Sequence, residues 1–258
     1  MIRIKWLLFF IFPAVLFTAC RSSKSIQRQM VGLHSELFYE LTTPVYPDDY
    51  IDTVYLNPVD YSAMPPYTVV KRKGGLVIPL LIFNIVSDGH EVTLGEGSLE
   101  QPFRDFLRDA LLAQCNRSSC FTLKVKNDGG VLPDSALVLE ITVGKNRTAA
   151  RMIYNTGAFL NPLAEGYFTS FSSWEIKQPA SQLEIFARLM QNGNCLWKKS
   201  YTVSQDLSSQ RKGIEDDREA YETCIDVMTE NLSYTTKGIV ENISRDLHLL
   251  VLLNHPKP

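Results

Sequence analysis

Apolar residues recur along this chain at two periods, and the change from one to the other marks its elements. Leu137, Leu139, Ile141 and Val143 alternate with polar neighbours, as do Leu183, Ile185, Ala187 and Leu189. A period of two puts each set on one face of a β-strand. The second strand, "SQLEIFARLMQ", is followed by "NGN" and by "CLWKKSYTVSQ", a hairpin whose turn residues accept positive φ. Elsewhere the period lengthens. Phe103, Phe106, Leu107, Ala110 and Leu111 fall at helical spacing after Ser98-Leu99-Glu100-Gln101, a capping-box pattern, and predict an amphipathic helix over 99–115. Tyr221, Cys224, Ile225, Met228, Leu232, Ile239, Ile243 and Leu247 form the stripe of a closing helix over 216–247, with Gly238 as its weak point. The expected fold is α+β: a mainly antiparallel sheet with two amphipathic helices packed on one face.

Other stretches read less sharply. "YTVVKRKGGLVIPLLIFNIV" reads as two strands either side of "KGG", with Pro79 marking an edge or a bulge. "SDGH" reads as a turn leading into "EVTLG", and "CFTLKVK" as a strand. Prolines rule out a continuous helix in the Tyr- and Pro-rich stretch 36–66, whose "DTVYL" is expected along the domain edge. Residues 151–174, "RMIYNTGAFLNPLAEGYFTSFSSW", keep neither period. They are either a loop or strand folded onto its own core, or an aromatic surface, made of Phe159, Leu160, Tyr167, Phe168, Phe171 and Trp174, for a partner or an apolar ligand.

The N-terminus follows a different logic. Arg3 and Lys5 precede twelve uncharged residues, Trp6 to Phe17, against the roughly 20 that a spanning helix needs. A basic start, a short apolar run and small residues before a cut site are the pattern of a secretory signal peptide. "LFTAC" resembles the lipobox of bacterial lipoproteins, with Phe17 where that family usually has Leu or Val. The resemblance implies cleavage after residue 19 and a lipid-modified Cys20; the alternative is an ordinary signal peptide with a chance cysteine. Two or more acyl chains hold a protein on a membrane stably. The expected organisation is therefore 1–19 lipoprotein signal peptide, 20–35 lipidated Cys20 and flexible tether, 36–66 extended segment, and 67–258 a single α+β periplasmic domain. "LHLLVLL" near the C-terminus is too short to span.

Composition narrows the chemistry. With 26 basic and 28 acidic residues the net charge is −2, so no basic excess points to nucleic acid. Beyond the anchor, Cys115, Cys120, Cys195 and Cys224 permit three disulfide connectivities in an exported chain; element placement singles out 115–120 across "NRSS" and 195–224 between hairpin and last helix, while a buried unpaired Cys224 remains open. His34, His90, His248 and His255 are scattered, so no zinc site and no other cofactor is expected. "LGEGS" reads as turn and cap, and "EDD" at 215–217 as the acidic first turn of a helix. No nucleophile–base motif is visible.

The strand "LEIFARLMQ", the "NGNCLWKK" turn and the long closing helix resemble the C-terminal half of small periplasmic lipoproteins of the ABC-type transport auxiliary and penicillin-binding-protein activator group; "LVIPLLIFN" and "PFRDFLRDALLAQ" are similar to its first half. "DTV" and "DSA" resemble the acceptor pattern of O-glycosylation in Bacteroidetes, at Thr53 and Ser135. An acidic surface-export cluster after Cys20 is missing, which favours the periplasmic side of the outer membrane. These resemblances imply a membrane-anchored, non-enzymatic binding or adaptor component with an envelope protein partner. The alternatives are a hydrolase whose site assembles from distant residues, or a subunit of a surface appendage.

Overall fold

The structure, a computed structural model, describes residues 22–41, 52–61, 64–79, 83–118, 120–126, 132–133, 135–160, 168–206 and 210–254. Its spine is a hairpin of two 24-residue strands, β6 (Leu137–Leu160) and β7 (Phe168–Gln191). They pair from Val138–Met190 at one end to Leu160–Phe168 at the other. The two halves of this spine have different neighbours. Along the proximal half, β1 (Asp52–Leu56) runs parallel to β6 and to β5 (Phe121–Val125), and β8 (Asn194–Asp206) is antiparallel to β7. Along the distal half, the hairpin of β3 (Val69–Pro79) and β4 (Phe83–Thr93) continues the sheet beyond β6, and β9 (Arg211–Ile214) pairs with β7. With the short β2 (Asp60–Tyr61), parallel to β6, the described residues form one nine-stranded, mostly antiparallel sheet, and the fold is α+β.

The core sits under the proximal half. Both alternating sets, from Leu137 to Val143 and from Leu183 to Leu189, are buried, and α3 (Asp217–Asn254) lies across β6, β7 and β8. At 1.5 Å per residue its 38 residues extend about 57 Å. Asp216 caps it, the Oδ1 accepting the Glu219 N–H at 2.9 Å. The apolar stripe continues through Val251, which is why the helix passes the expected end at 247. Helix α2 (Phe103–Ser118) packs between α3 and β5 with Phe103, Phe106, Leu107, Ala110 and Leu111 all buried. Its start is later than the capping-box pattern predicts. Ser98 ends a 3-10 turn (Glu96–Ser98), and its hydroxyl bonds to Thr68 Oγ1 at 2.8 Å. Among the described residues no helix is long and apolar enough to cross a membrane.

Four expectations are corrected. Residues 23–30 are not a tether: they form α1 (Ser23–Met30), whose Ile26 and Met30, four apart, are buried against the body. The chain that follows is docked as well, with Phe38 N–H donating to Ser233 Oγ and the Tyr39 hydroxyl donating to Gln114 Oε1. "DTVYL" is an inner strand between β5 and β6 rather than an edge, with Val54 and Leu56 fully buried. "KGG" does not turn the chain; Gly74, at φ 111°, occupies a bulge and β3 continues to Pro79, on the sheet's outer strand. "SDGH" lies inside β4 rather than turning the chain. Of the alternatives open for 151–174, the strand is the one found, with 151–160 and 168–174 inside β6 and β7. The "NGN" turn is as expected, with Asn192 and Gly193 at φ 52° and 76° between the paired Gln191 and Asn194.

Candidate functional site

The distal half of the sheet projects as a four-stranded extension made by β3, β4 and the adjoining parts of β6 and β7. Register assigns its two faces. Val86, Asp88, His90 and Val92 share the inner face with Met152, Tyr154, Trp174 and Ile176. Ile78, Ile85, Gly157 and Phe171 pair across the outer face, with Leu76 and Ile153 on the same side. Near the root the inner face is covered, and Trp174 is wholly buried between the rings of Tyr154 and Tyr221, at 4.8 and 5.6 Å between centroids. Farther out that cover ends. Leu76, Val77 and Ile78 are 59, 48 and 38 % exposed and Phe171 44 %. Three consecutive exposed residues in a strand mean that both faces are open.

At the root, four polar side chains from three elements meet. Arg72 of β3 donates from Nε to Asp88 Oδ1 of β4 at 2.8 Å. His90, also of β4, has Nε2 3.5 Å from Asp88 Oδ2 and Nδ1 3.1 Å from the hydroxyl of Ser23, the first residue of α1. Asp88 and His90 are buried. Burial pushes the imidazole pKa below its ordinary value, and Arg72 adds to this while Asp88 opposes it. Ser23, His90 and Asp88 follow one another as in a hydrolase relay, but the carboxylate is committed to Arg72 and stands farther from the ring than a hydrogen bond allows. What the geometry supports is a bracket holding the start of α1 to the β3–β4 hairpin. Its signal was present in the sequence, since Asp88 and His90 are two apart and a strand puts them on one face.

On the outer face the root carries paired charge. Glu91 lies 3.0 Å from Lys73 and 2.9 Å from Arg147. The hydrogen bond from Lys73 is the main reason its pKa falls below the carboxylate range, with Arg147 contributing. With Arg151 and Gln182 they line an open basin of about 450 Å³. Glu175 bridges Lys177 and Lys212 at 3.5 and 3.4 Å. Among the described residues no group of three or more His, Cys, Asp or Glu side chains is arranged to hold a metal ion.

The residues singled out in the sequence separate on this frame. Trp174 is core rather than surface, its indole donating to Asp217 Oδ1 at 2.8 Å. Phe171 is exposed on the outer face. Phe159, Leu160 and Phe168 occupy paired positions near the distal end of the spine, Phe159 opposite Phe83 and Leu160 opposite Phe168. Cys20 and Tyr167 lie outside the described residues. The four cysteines are free thiols, so neither the 115–120 nor the 195–224 bridge forms. Cys115 and Cys224 are enclosed in the helix layer, where burial pushes the Cys115 thiol up to about 12 and the Cys224 thiol higher still, whereas Cys195 is exposed beside the hairpin turn. Thr53 lies within β1, paired with Thr122.

No family model and no curated protein matches the chain. Among solved structures, the crystal structure of a Xanthomonas campestris protein of the DUF330 family covers 86 % of this chain and 99 % of its own length, at 12 % identity and a TM-score of 0.46.

Proposed function

We propose that the protein is a lipid-anchored binding component of a bacterial envelope, on the periplasmic side of the outer membrane and auxiliary to a transport or cell-wall assembly system. It acts by contact rather than by catalysis. The observation that carries this reading is the extension: strands that continue beyond the helix layer with Leu76, Val77, Ile78 and Phe171 in solvent. Apolar side chains carried in the open on both faces of a paired sheet mark a contact surface. The "LFTAC" pattern supports the anchor, and the docking of α1 supports a body held close to it.

Site-specific photo-crosslinking in cells tests the reading, with probes replacing Phe171 and Ser173 on the extension and Arg245 on the exposed side of α3. The expected result is capture of one envelope partner from the extension and none from Arg245. Capture from Arg245 alone moves the surface elsewhere. Turnover of an envelope substrate by the purified protein, with no capture at any probe, removes the binding reading altogether.

A further inference from the structure

The direction of α1 fixes where the anchor leaves the body. Ser23, at the start of the helix, touches His90 midway along β4. Met30, at its end, shares a cavity with Thr68 and Ser98 below the start of β3. The helix therefore runs antiparallel to β3, with its N-terminal end toward the distal end of the extension. Cys20 is three residues before Ser23, a separation of about 10 Å at full stretch. From His90 to Asn84, near the end of β4, the six intervening steps along the strand cover about 20 Å. Ile78 and Phe171, level with Ile85, lie five steps or about 17 Å from His90 along the sheet, about 7 Å past Cys20 even when the connecting residues are fully extended along it, and the spine continues beyond them to Leu160–Phe168.

We propose that the distal end of the extension enters the headgroup–acyl boundary of the bilayer that carries the anchor, with Leu76, Val77, Ile78 and Phe171 as the inserted side chains. The inference rests on the anchored-component reading above and states what the extension touches. At Ile78 and Phe171 the overshoot matches the roughly 5–10 Å to which amphipathic elements sink into that boundary. Exposure on both faces fits a bilayer, which surrounds an inserted element; a protein adding a strand to β3 would cover one edge. Charge fits as well: on the outer side at the level of His90 and Ser23, Lys71, Lys73, Arg151 and Lys177 outnumber Glu91 and Glu175, and such a cationic excess meets anionic headgroups.

The test uses the full-length lipidated protein in vesicles of phosphatidylethanolamine and phosphatidylglycerol. In a Cys195→Ser background, an environment-sensitive NBD fluorophore is attached at Ile78→Cys or, as the control, at Arg245→Cys, and brominated lipids serve as quencher. The expected result is blue-shifted, quenched emission at position 78 and neither change at 245. A probe at Val77→Cys in a Leu76→Ser/Ile78→Ser variant should lose the quenching while thermal unfolding is unchanged, because the replaced side chains are already in solvent. If position 78 is unquenched while crosslinks from Phe171 capture an envelope protein, insertion is wrong and the binding reading stands. If 78 is unquenched and nothing is captured, both fall. Equal quenching at 78 and 245 overturns the inference in favour of a body lying flat on the bilayer.

Discussion

Replacing Trp174 with Phe separates a core role from a surface role at a residue whose sequence context pointed to a partner. Trp174 is fully buried, packed between a tilted Tyr154 ring and an edge-on Tyr221 ring, and its Nε1 donates to the Asp217 carboxylate in the first turn of α3. Phenylalanine keeps an aromatic ring in the site and removes the donor. A hydrogen bond to a charged group contributes about 1.5–3 kcal/mol, and the lost indole volume adds about 1 kcal/mol. For a chain of this size each kcal/mol moves Tm by about 2–4 °C, so a loss of about 2.5–4 kcal/mol lowers it by about 5–15 °C. Thermal and urea unfolding followed by circular dichroism give the cost, and a cycle with Asp217→Asn isolates the bond. The expected coupling is about 1–2 kcal/mol; additivity to within about 0.5 kcal/mol would refute the account of how β7 is tied to α3. A Trp174→Phe protein with unchanged Tm but weaker partner capture would return Trp174 to the surface.

Two glycine-to-alanine changes should move stability in opposite directions. At Gly238, inside α3, an added Cβ meets nothing within 4 Å, so Gly238→Ala should stabilise by about 0.5–1 kcal/mol; at Gly95 the Cβ would fall 2.1 Å from the Tyr67 carbonyl carbon, so Gly95→Ala should cost about 1–3 kcal/mol or more, both read from urea midpoints. The His90 bracket predicts a pH dependence. Because burial among Asp88, Arg72 and Ser23 holds the folded pKa below its unfolded value, near 6.5, the unfolded chain takes up the proton first on acidification. Stability should be complete above about pH 6.5 and decline as pH falls toward the folded pKa. His90→Gln should flatten that decline, leaving the smaller slope from His248, whose pKa burial also lowers; unfolding midpoints at several pH values give the comparison.

The elements that could be read from the sequence are those whose periodicity serves a single face. Leu183, Ile185, Ala187 and Leu189 are buried as their alternation predicts, and so is the Phe103-to-Leu111 set of α2. Helix α1 was hidden because two buried residues, Ile26 and Met30, hold a segment that is otherwise polar. Residues 151–174 were hidden for the opposite reason: where the sheet is open on both sides, neither face demands apolar residues, and Asn155, Thr156, Ser172 and Ser173 break the alternation that marks a half-buried strand. In "SDGH", turn-forming residue types outweighed the spacing that places Asp88 and His90 together. The parallel pairing of β1 depends on partners about 70 and 80 residues away in the chain and has no local signature.

That pairing also dictates an order of assembly. Val54 cannot find its neighbours until Leu123 and Leu137 have been delivered, and the apolar face they form stays uncovered until α3, the last described element, arrives. The spine hairpin can form early from adjacent residues, but closing the proximal sheet requires loops of that length to be drawn in first, and contacts between distant parts of a chain slow folding. A chain emerging from its N-terminus therefore has no completed core to bury until nearly all of it has been released. Such a polypeptide can be threaded through a narrow passage as an open strand and settle only after its last described helix has arrived to close the fold.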